Sequence, residues 1–367
     1  MSIMSDMAKN DAYYKGKKLI GCVFDPTGFK KPDGSLDSAA MADEMFKWAQ
    51  SQFKKIDDAK KTEWSIKGIA LGNQGKYDEA IEAFDKAIEL DPKWAMPWRN
   101  KGNALRELGK PDEAIQALDK AIELNPEWAT PWNDKGDALK AQGKYDESVQ
   151  AYNKAIEQNP KWAPPWNNKG MVLGELGKYD DAIEALDKAI EIDPKYASAW
   201  SNKGEALKRQ NNYAQAIQHF DLAIEINPQC AEAWFNKGLA LEAQGKYDEA
   251  VQAYEKAIET NPRDASTWNS KGNALSSKGK YDQSVQAYDK AIEINPQDAD
   301  AWYNKGLALG KHGKYDEAIL AYDKAIEVNP HDAEAWYNKG ITLSKLKRDN
   351  EAGDALDRAR ELGFSKC

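Results

Sequence analysis

The sequence predicts an all-α solenoid, and three periodic observations predict it. A tryptophan recurs every 34 residues, nine times, from Trp64 and Trp98 through Trp234 to Trp302 and Trp336. A glycine follows each by four positions (Gly68 to Gly340) and a leucine by seven (Leu71 to Leu343). A small residue (Ala80 to Ala352, serine only at Ser148 and Ser284) and an alanine (Ala87 to Ala359) recur in the same register, and proline closes eight of the nine repeats, Pro92 to Pro330. A fixed period of this length marks units too small to bury an apolar face alone, which therefore stack on one another.

In chain order, residues 1–60 lie outside the repeat. Lys18 to Phe24 reads as a short extended segment, followed by turn signals at Asp25-Pro26-Thr27-Gly28 and Lys31-Pro32-Asp33-Gly34. Leu19-Ile20-Gly21-Cys22 has the wording of a lipoprotein box, but Lys15 to Lys18 stand where an apolar stretch is required. Ser38 to about Lys60 predicts one amphipathic helix, with Met41, Met45, Trp48, Gln52 and Ile56 on one side and Phe46, Ala49 and Phe53 widening the stripe. It is expected to cap the first repeat.

The sixth repeat, residues 231–264, shows why each unit becomes a helix pair. Trp234, Gly238 and Leu241 stand at helical spacing. Gly245 suits the left-handed conformation that ends a helix; glycine holds this place in seven repeats, and Asn211 and Lys347 hold it in the fifth and ninth. Asp248 is expected to cap the second helix, with Glu249 in its first turn. That helix carries Ala250, Val251, Tyr254, Ala257 and Ile258 on one face and stops before Asn261-Pro262. Gly238 and Ala250 are expected to let the helices close over the indole of Trp234, so that Trp234→Ala costs about 3–5 kcal/mol and Ala250→Leu about 1–3 kcal/mol. The ninth repeat departs from the pattern as a terminal cap should: Gly353 and Arg360 replace the apolar residues found at Ile319 and Ile326 in the eighth.

These residues resemble the tetratricopeptide repeat. Counting Trp as place four, the matching pattern is Gly at eight, Leu at eleven, Ala at twenty, Tyr or Phe at twenty-four, Ala at twenty-seven and Pro at thirty-two, over residues 61–366. The wording Trp-Asn-Asn-Lys-Gly at 166–170 is similar to arrays of methanogenic archaea. The resemblance implies a right-handed superhelix of nine helix-turn-helix units, with first helices lining a concave groove from places two, five, six, nine, twelve and thirteen.

Place six is asparagine in six of the nine repeats: Asn100, Asn168, Asn202, Asn236, Asn304 and Asn338. An amide carries donors and an acceptor, so such a ladder can hold the backbone of an extended peptide. The other reading is that each asparagine bonds to the neighbouring repeat. Phe235, Leu239, Tyr303, Leu307, Tyr337 and Ile341 fall on the same face and predict side-chain pockets, whereas Arg99, Asn103, Asn133, Asp137 and Asn167 make the earlier repeats polar. The family's clamp for acidic chaperone tails fails, because Asp134 stands where asparagine is required. Pro97, Pro131 and Pro165, with Trp94, Trp128 and Trp162 before them, set repeats two to four apart and are expected to pack the inter-repeat loops.

The chain's net charge of −9 argues against nucleic acid, and no apolar run approaches a membrane span. Cys22, Cys230 and Cys367 share no metal-type spacing and fit a reducing cytoplasm. His219, His312 and His331 stand apart from any paired carboxylate or cysteine, so no catalysis and no cofactor or metal is expected. The sequence therefore reads as a scaffold for a protein or an extended peptide. The alternatives are a self-assembling or dimerising solenoid and an adaptor inhibited by its own N-terminal segment.

Overall fold

The computed structural model describes residues 38–364. The extended segment over 18–24, the box at 19–22, Cys22, Cys367 and the inhibitory segment all lie outside the described residues. Those described form eighteen helices and no strand. The chain divides into two compact units, Met1–Leu108 and Gly109–Cys367.

In the N-terminal unit, α1 (Ser38–Gly72) packs on α2 (Tyr77–Leu90), which packs on α3 (Ala95–Glu107). The helix expected over 38 to about 60 starts at Ser38 but does not end near Lys60: α1 runs unbroken into the first helix of the first repeat. No glycine or proline falls between Ser38 and Trp64 to stop it. Phe46, Trp48, Phe53 and Ile56 on this helix stay exposed.

The C-terminal unit starts with α4 (Pro111–Leu124). Seven pairs follow: α5 (Ala129–Ala141) with α6 (Tyr145–Gln158), α7 (Ala163–Glu175) with α8 (Tyr179–Ile192), α9 (Ala197–Arg209) with α10 (Tyr213–Ile226), α11 (Ala231–Ala243) with α12 (Tyr247–Thr260), α13 (Ala265–Ser277) with α14 (Tyr281–Ile294), α15 (Ala299–Lys311) with α16 (Tyr315–Val328), and α17 (Ala333–Lys345) with α18 (Asp349–Glu361). Within this unit successive first helices lie against one another. Gly245 takes φ +73°, and Asn211 and Lys347 take the same left-handed conformation at 62° and 59°.

Two expectations about packing are corrected. Gly238 does not make room for tryptophan: a Cβ placed there would stand 2.4 Å from the ring of Tyr254, on the second helix of its own repeat. The same fit recurs at Gly136 on Tyr152, Gly272 on Tyr288 and Gly306 on Tyr322, with Phe220 against Gly204 and Leu186 against Gly170. Tyr152, Tyr254, Tyr288 and Tyr322 are the largest fully buried side chains, and the recurrent tryptophans are only half-buried. The indole Nε1 of Trp234 instead donates to the carbonyl of Pro228 at 3.1 Å, and each tryptophan of the 34-residue period from Trp98 to Trp336 makes the equivalent bond. Tryptophan and proline thus share a period because each indole latches the loop before it.

The second correction concerns Asp248. Lys246 occupies the N-cap of α12 and no side chain caps that helix. Asp248 lies within the first turn, where it favours the positive end of the helix dipole, and it pairs with Lys278 of the next repeat. Asp146 with Lys178 and Asp282 with Lys314 repeat this tie.

Candidate interaction face

The first helices of the C-terminal unit, α5 to α17, present one continuous face, and hydrogen bonds between place six and the place five before it hold that face together. Asn168 Nδ2 donates to Asn133 Oδ1 at 3.2 Å, Asn202 Nδ2 to Asn167 Oδ1 at 2.8 Å, and Asn304 Nδ2 to Asn269 Oδ1 at 3.2 Å. Asn338 Nδ2 donates to Tyr303 Oη at 3.0 Å. Asn236, nearly buried, accepts from Lys208 Nζ at 2.8 Å. Asn100 is half-buried on α3 of the N-terminal unit. Thus the amide nitrogens of four of the six asparagines bond to the neighbouring repeat. Of these four, the amide oxygens of Asn202, Asn304 and Asn338 accept nothing from the described residues, so these three keep an acceptor for an outside donor.

In repeats three to five the network closes on itself. Asp137 accepts from Tyr152 Oη at 2.7 Å and from Asn168 Nδ2 at 3.2 Å. Glu205 pairs with Lys208 at 2.7 Å and Arg209 at 2.9 Å. Arg209 also reaches Glu175 at 3.6 Å.

In repeats six to nine the same places carry Phe235, Tyr303 and Tyr337, all half-buried. Phe235 and Tyr303 lean on the buried tyrosines beneath them, with ring centroids 6.0 Å from Tyr254 and 6.1 Å from Tyr322, while Tyr337 lies 4.5 Å from Phe364. Leu239 and Leu307 pack beside Phe235 and Tyr303. Burial, with Glu334 nearby, pushes the Tyr303 hydroxyl up to about 12, so it remains a donor and acceptor throughout the neutral range.

Family models described as tetratricopeptide repeat match residues 67–127, 99–163 and 167–229, 231–264 and 299–332, and 253–286 and 321–354; one described as TPR repeat matches 272–313. The chain belongs to the tetratricopeptide repeat family. Among solved structures, a tetratricopeptide repeat protein from Parabacteroides merdae is similar at TM-score 0.51 and 20% identity, over 72% of this chain and 98% of that one. The APC/C hetero-tetramer Cut9-Hcn1 aligns at TM-score 0.54 and 17% identity, over 80% of this chain and 54% of that one. YrrB, described as a TPR protein with an unusual peptide-binding site, aligns at 0.45 and 26% identity, over 50% of this chain and 95% of that one. No curated protein matches the chain.

A tetratricopeptide repeat array is a protein-interaction scaffold and not an enzyme, so the site to find is a surface. No helix among the described residues is long and apolar enough to cross a membrane. Three features of the face escaped the sequence reading. Place five serves as acceptor for the asparagine ladder. Ser148 and Ser284, at the two places where alanine fails, donate to the carbonyls of Gly136 at 2.7 Å and Gly272 at 2.8 Å. Glu242 sits partly buried beneath the face and accepts from Tyr254 Oη at 2.7 Å; burial raises its carboxyl above the usual range. The first two have a signal, the break in the alanine column and the polarity of place five; the third needs the packed structure.

Proposed function

We propose that this chain holds an extended peptide segment of a partner protein across the first helices of repeats six to nine. The row of half-buried Phe235, Leu239, Tyr303, Leu307, Tyr337 and Ile341 carries this reading, because large apolar side chains left partly in water along one face are what anchors of a partner cover. Asn304, whose amide oxygen is unoccupied and whose nitrogen is pinned, supports it: such an oxygen accepts a peptide N–H whatever the peptide's sequence. The ladder is proposed chiefly as an acceptor, since at Asn202 and Asn304 one of the two amide N–H donors is already bonded between repeats and the oxygen is not.

Peptides selected from a random displayed library on the full chain test this reading. Binding is expected to fall at least about tenfold, or 1.4 kcal/mol, in the triple variant Phe235→Ala, Tyr303→Ala, Tyr337→Ala while circular dichroism stays helical. Undiminished binding moves the site elsewhere. Self-association is favoured by one observation, the exposed Phe46, Trp48, Phe53 and Ile56 of α1. Light scattering of the full chain against Phe46→Ser, Phe53→Ser separates the two: loss of a dimer in the variant supports self-association through α1, and a monomeric parent removes it.

A further inference from the structure

The carboxylates of the first-helix face differ between repeats. Asp137, Glu175 and Glu205, in repeats three to five, each meet a donor or cation of the chain itself. Glu232, Glu242 and Asp300, in repeats six and eight, meet no cation among the described residues, and Glu242 has only the Tyr254 hydroxyl. They flank the apolar anchors: Glu232 and Asp300 stand in the first turns of α11 and α15, three residues before Phe235 and Tyr303, and Glu242 stands three after Leu239. Glu242, partly buried without a cation, is held at a cost that an arriving ammonium or guanidinium removes, and the exposed Glu232 and Asp300 offer further carboxylates on the same face.

Repeat seven supplies the space between. It carries Asn269 and Asn273 where its neighbours carry Phe235, Tyr303, Leu239 and Leu307, and serines at Ser266, Ser270 and Ser276 where they carry Glu232, Asp300, Asn236, Asn304, Glu242 and Gly310. Tyr288 Oη donates to Asn273 Oδ1 at 2.7 Å and Asn304 Nδ2 donates to Asn269 Oδ1 at 3.2 Å. Both amides are therefore fixed with their nitrogens left over, so repeat seven is a low, donor-rich step between two apolar ridges. Helices pack about 8–10 Å apart and an extended chain advances about 3.3 Å per residue. The two ridges therefore lie about six residues apart along a bound strand.

Resting on the peptide-binding reading, we propose that the segment held by repeats six to eight is basic: an extended peptide in which lysine or arginine alternates with large apolar residues, the cations meeting Glu232, Glu242 and Asp300 and the apolar side chains meeting Phe235, Leu239, Tyr303 and Leu307. The donors of Asn269 and Asn273 take a backbone carbonyl of the same strand.

Fluorescence anisotropy of the full chain tests this with three labelled peptides of one apolar pattern, alternating leucine with lysine, glutamine or glutamate. The lysine peptide is expected to bind at least about tenfold tighter than the other two. It should lose about tenfold in the variant Glu232→Gln, Glu242→Gln, Asp300→Asn, and stay within about twofold in Glu147→Gln, Glu249→Gln, Glu317→Gln, which removes the same charge from second helices. Equal losses in both variants mean diffuse attraction to an acidic protein and overturn the proposal. A glutamine peptide that binds as tightly as the lysine one, and loses binding on Phe235→Ala, Tyr303→Ala, leaves the peptide site standing and overturns its basic preference. Absence of binding by all three peptides overturns both.

Discussion

Repeats three to five and repeats six to nine are built on one 34-residue pattern, yet their faces do opposite things. In the first group polar groups answer one another, with Asp137 taken by Tyr152 and Asn168, and Glu205 by Lys208 and Arg209. In the second, Phe235, Tyr303 and Tyr337 stand half in water, and Glu232, Glu242 and Asp300 find no cation among the described residues. Helix starts differ in the same direction. Trp128 and Trp162 occupy N-caps without a capping bond, while Asp264, Asp298 and Asp332 accept backbone N–H groups of their own first turns. The difference teaches that the residues setting the period build the stack, while the residues between them decide whether a face is closed or open.

The largest effects should therefore be indifferent to which group is struck, because they fall on the shared stack. Tyr254→Ala empties a fully buried site and is expected to cost about 3–5 kcal/mol in urea melts, as is Tyr152→Ala. Trp234→Ala, first expected in that range, should cost less, about 1–3 kcal/mol, since the indole is half-buried and loses one bond to Pro228. If the tryptophan variant is the less stable, the glycine–tyrosine fit is not the centre of the repeat.

The closed and open faces separate at place nine. Asp137→Ala leaves the buried hydroxyl of Tyr152 and the amide of Asn168 without that acceptor, and is expected to cost about 1–3 kcal/mol. Leu239→Ala, at the equivalent place of repeat six, removes only half-buried apolar surface and should cost about 1 kcal/mol. Equal costs would mean that the polar network of repeats three to five contributes nothing beyond its packing.

Much of this architecture was legible in the sequence. Period, helix pairs, turn glycines and closing prolines follow from Trp64 to Trp336 and their fixed companions, because each is a local steric demand. What was not legible depends on contacts between places. Nothing in the string says that Trp234 reaches Pro228 or that Gly238 faces Tyr254. Asp248 looks like a cap because aspartate so often is one; the left-handed Gly245 puts Lys246 at the cap and leaves aspartate two places inside. The boundary near residue 60 was drawn from the register alone, where no stop signal exists. At the face, residue types were readable and their orientation was not: which end of each asparagine is spent is settled by its neighbour.

Glu242 offers a test of the open face through pH. Burial raises its carboxyl in the folded chain, so the folded state binds the proton more tightly than the unfolded state does. Its contribution to stability therefore declines as pH rises from the ordinary glutamate value of 4.5 through the raised one. Glu242→Gln, which still accepts from Tyr254, should be more stable than the parent at pH 7, with the gain vanishing well below pH 4.5. A variant no more stable at pH 7 would show that the carboxylate is already compensated, and the case for an incoming cation would weaken with it.

The smallest expected effect concerns the two repeats whose turns lack glycine. Asn211 and Lys347 adopt φ of 62° and 59°, a conformation in which a Cβ crowds the following carbonyl. Asparagine tolerates it through its short polar side chain, and the Asn211 oxygen accepts from Tyr213 Oη at 2.7 Å. Lysine has no such compensation, so Lys347→Gly is expected to stabilise by about 0.5–1 kcal/mol and Asn211→Gly by less than about 0.5 kcal/mol. Glycine also loosens the unfolded chain, which opposes both gains. Because α18 packs chiefly on α17 among the described helices, relief there is expected to appear first as slower amide exchange in α18, before any shift in global melting. Unchanged exchange in α18 with a raised melting point would mean that the last repeat unfolds only together with the rest of its unit.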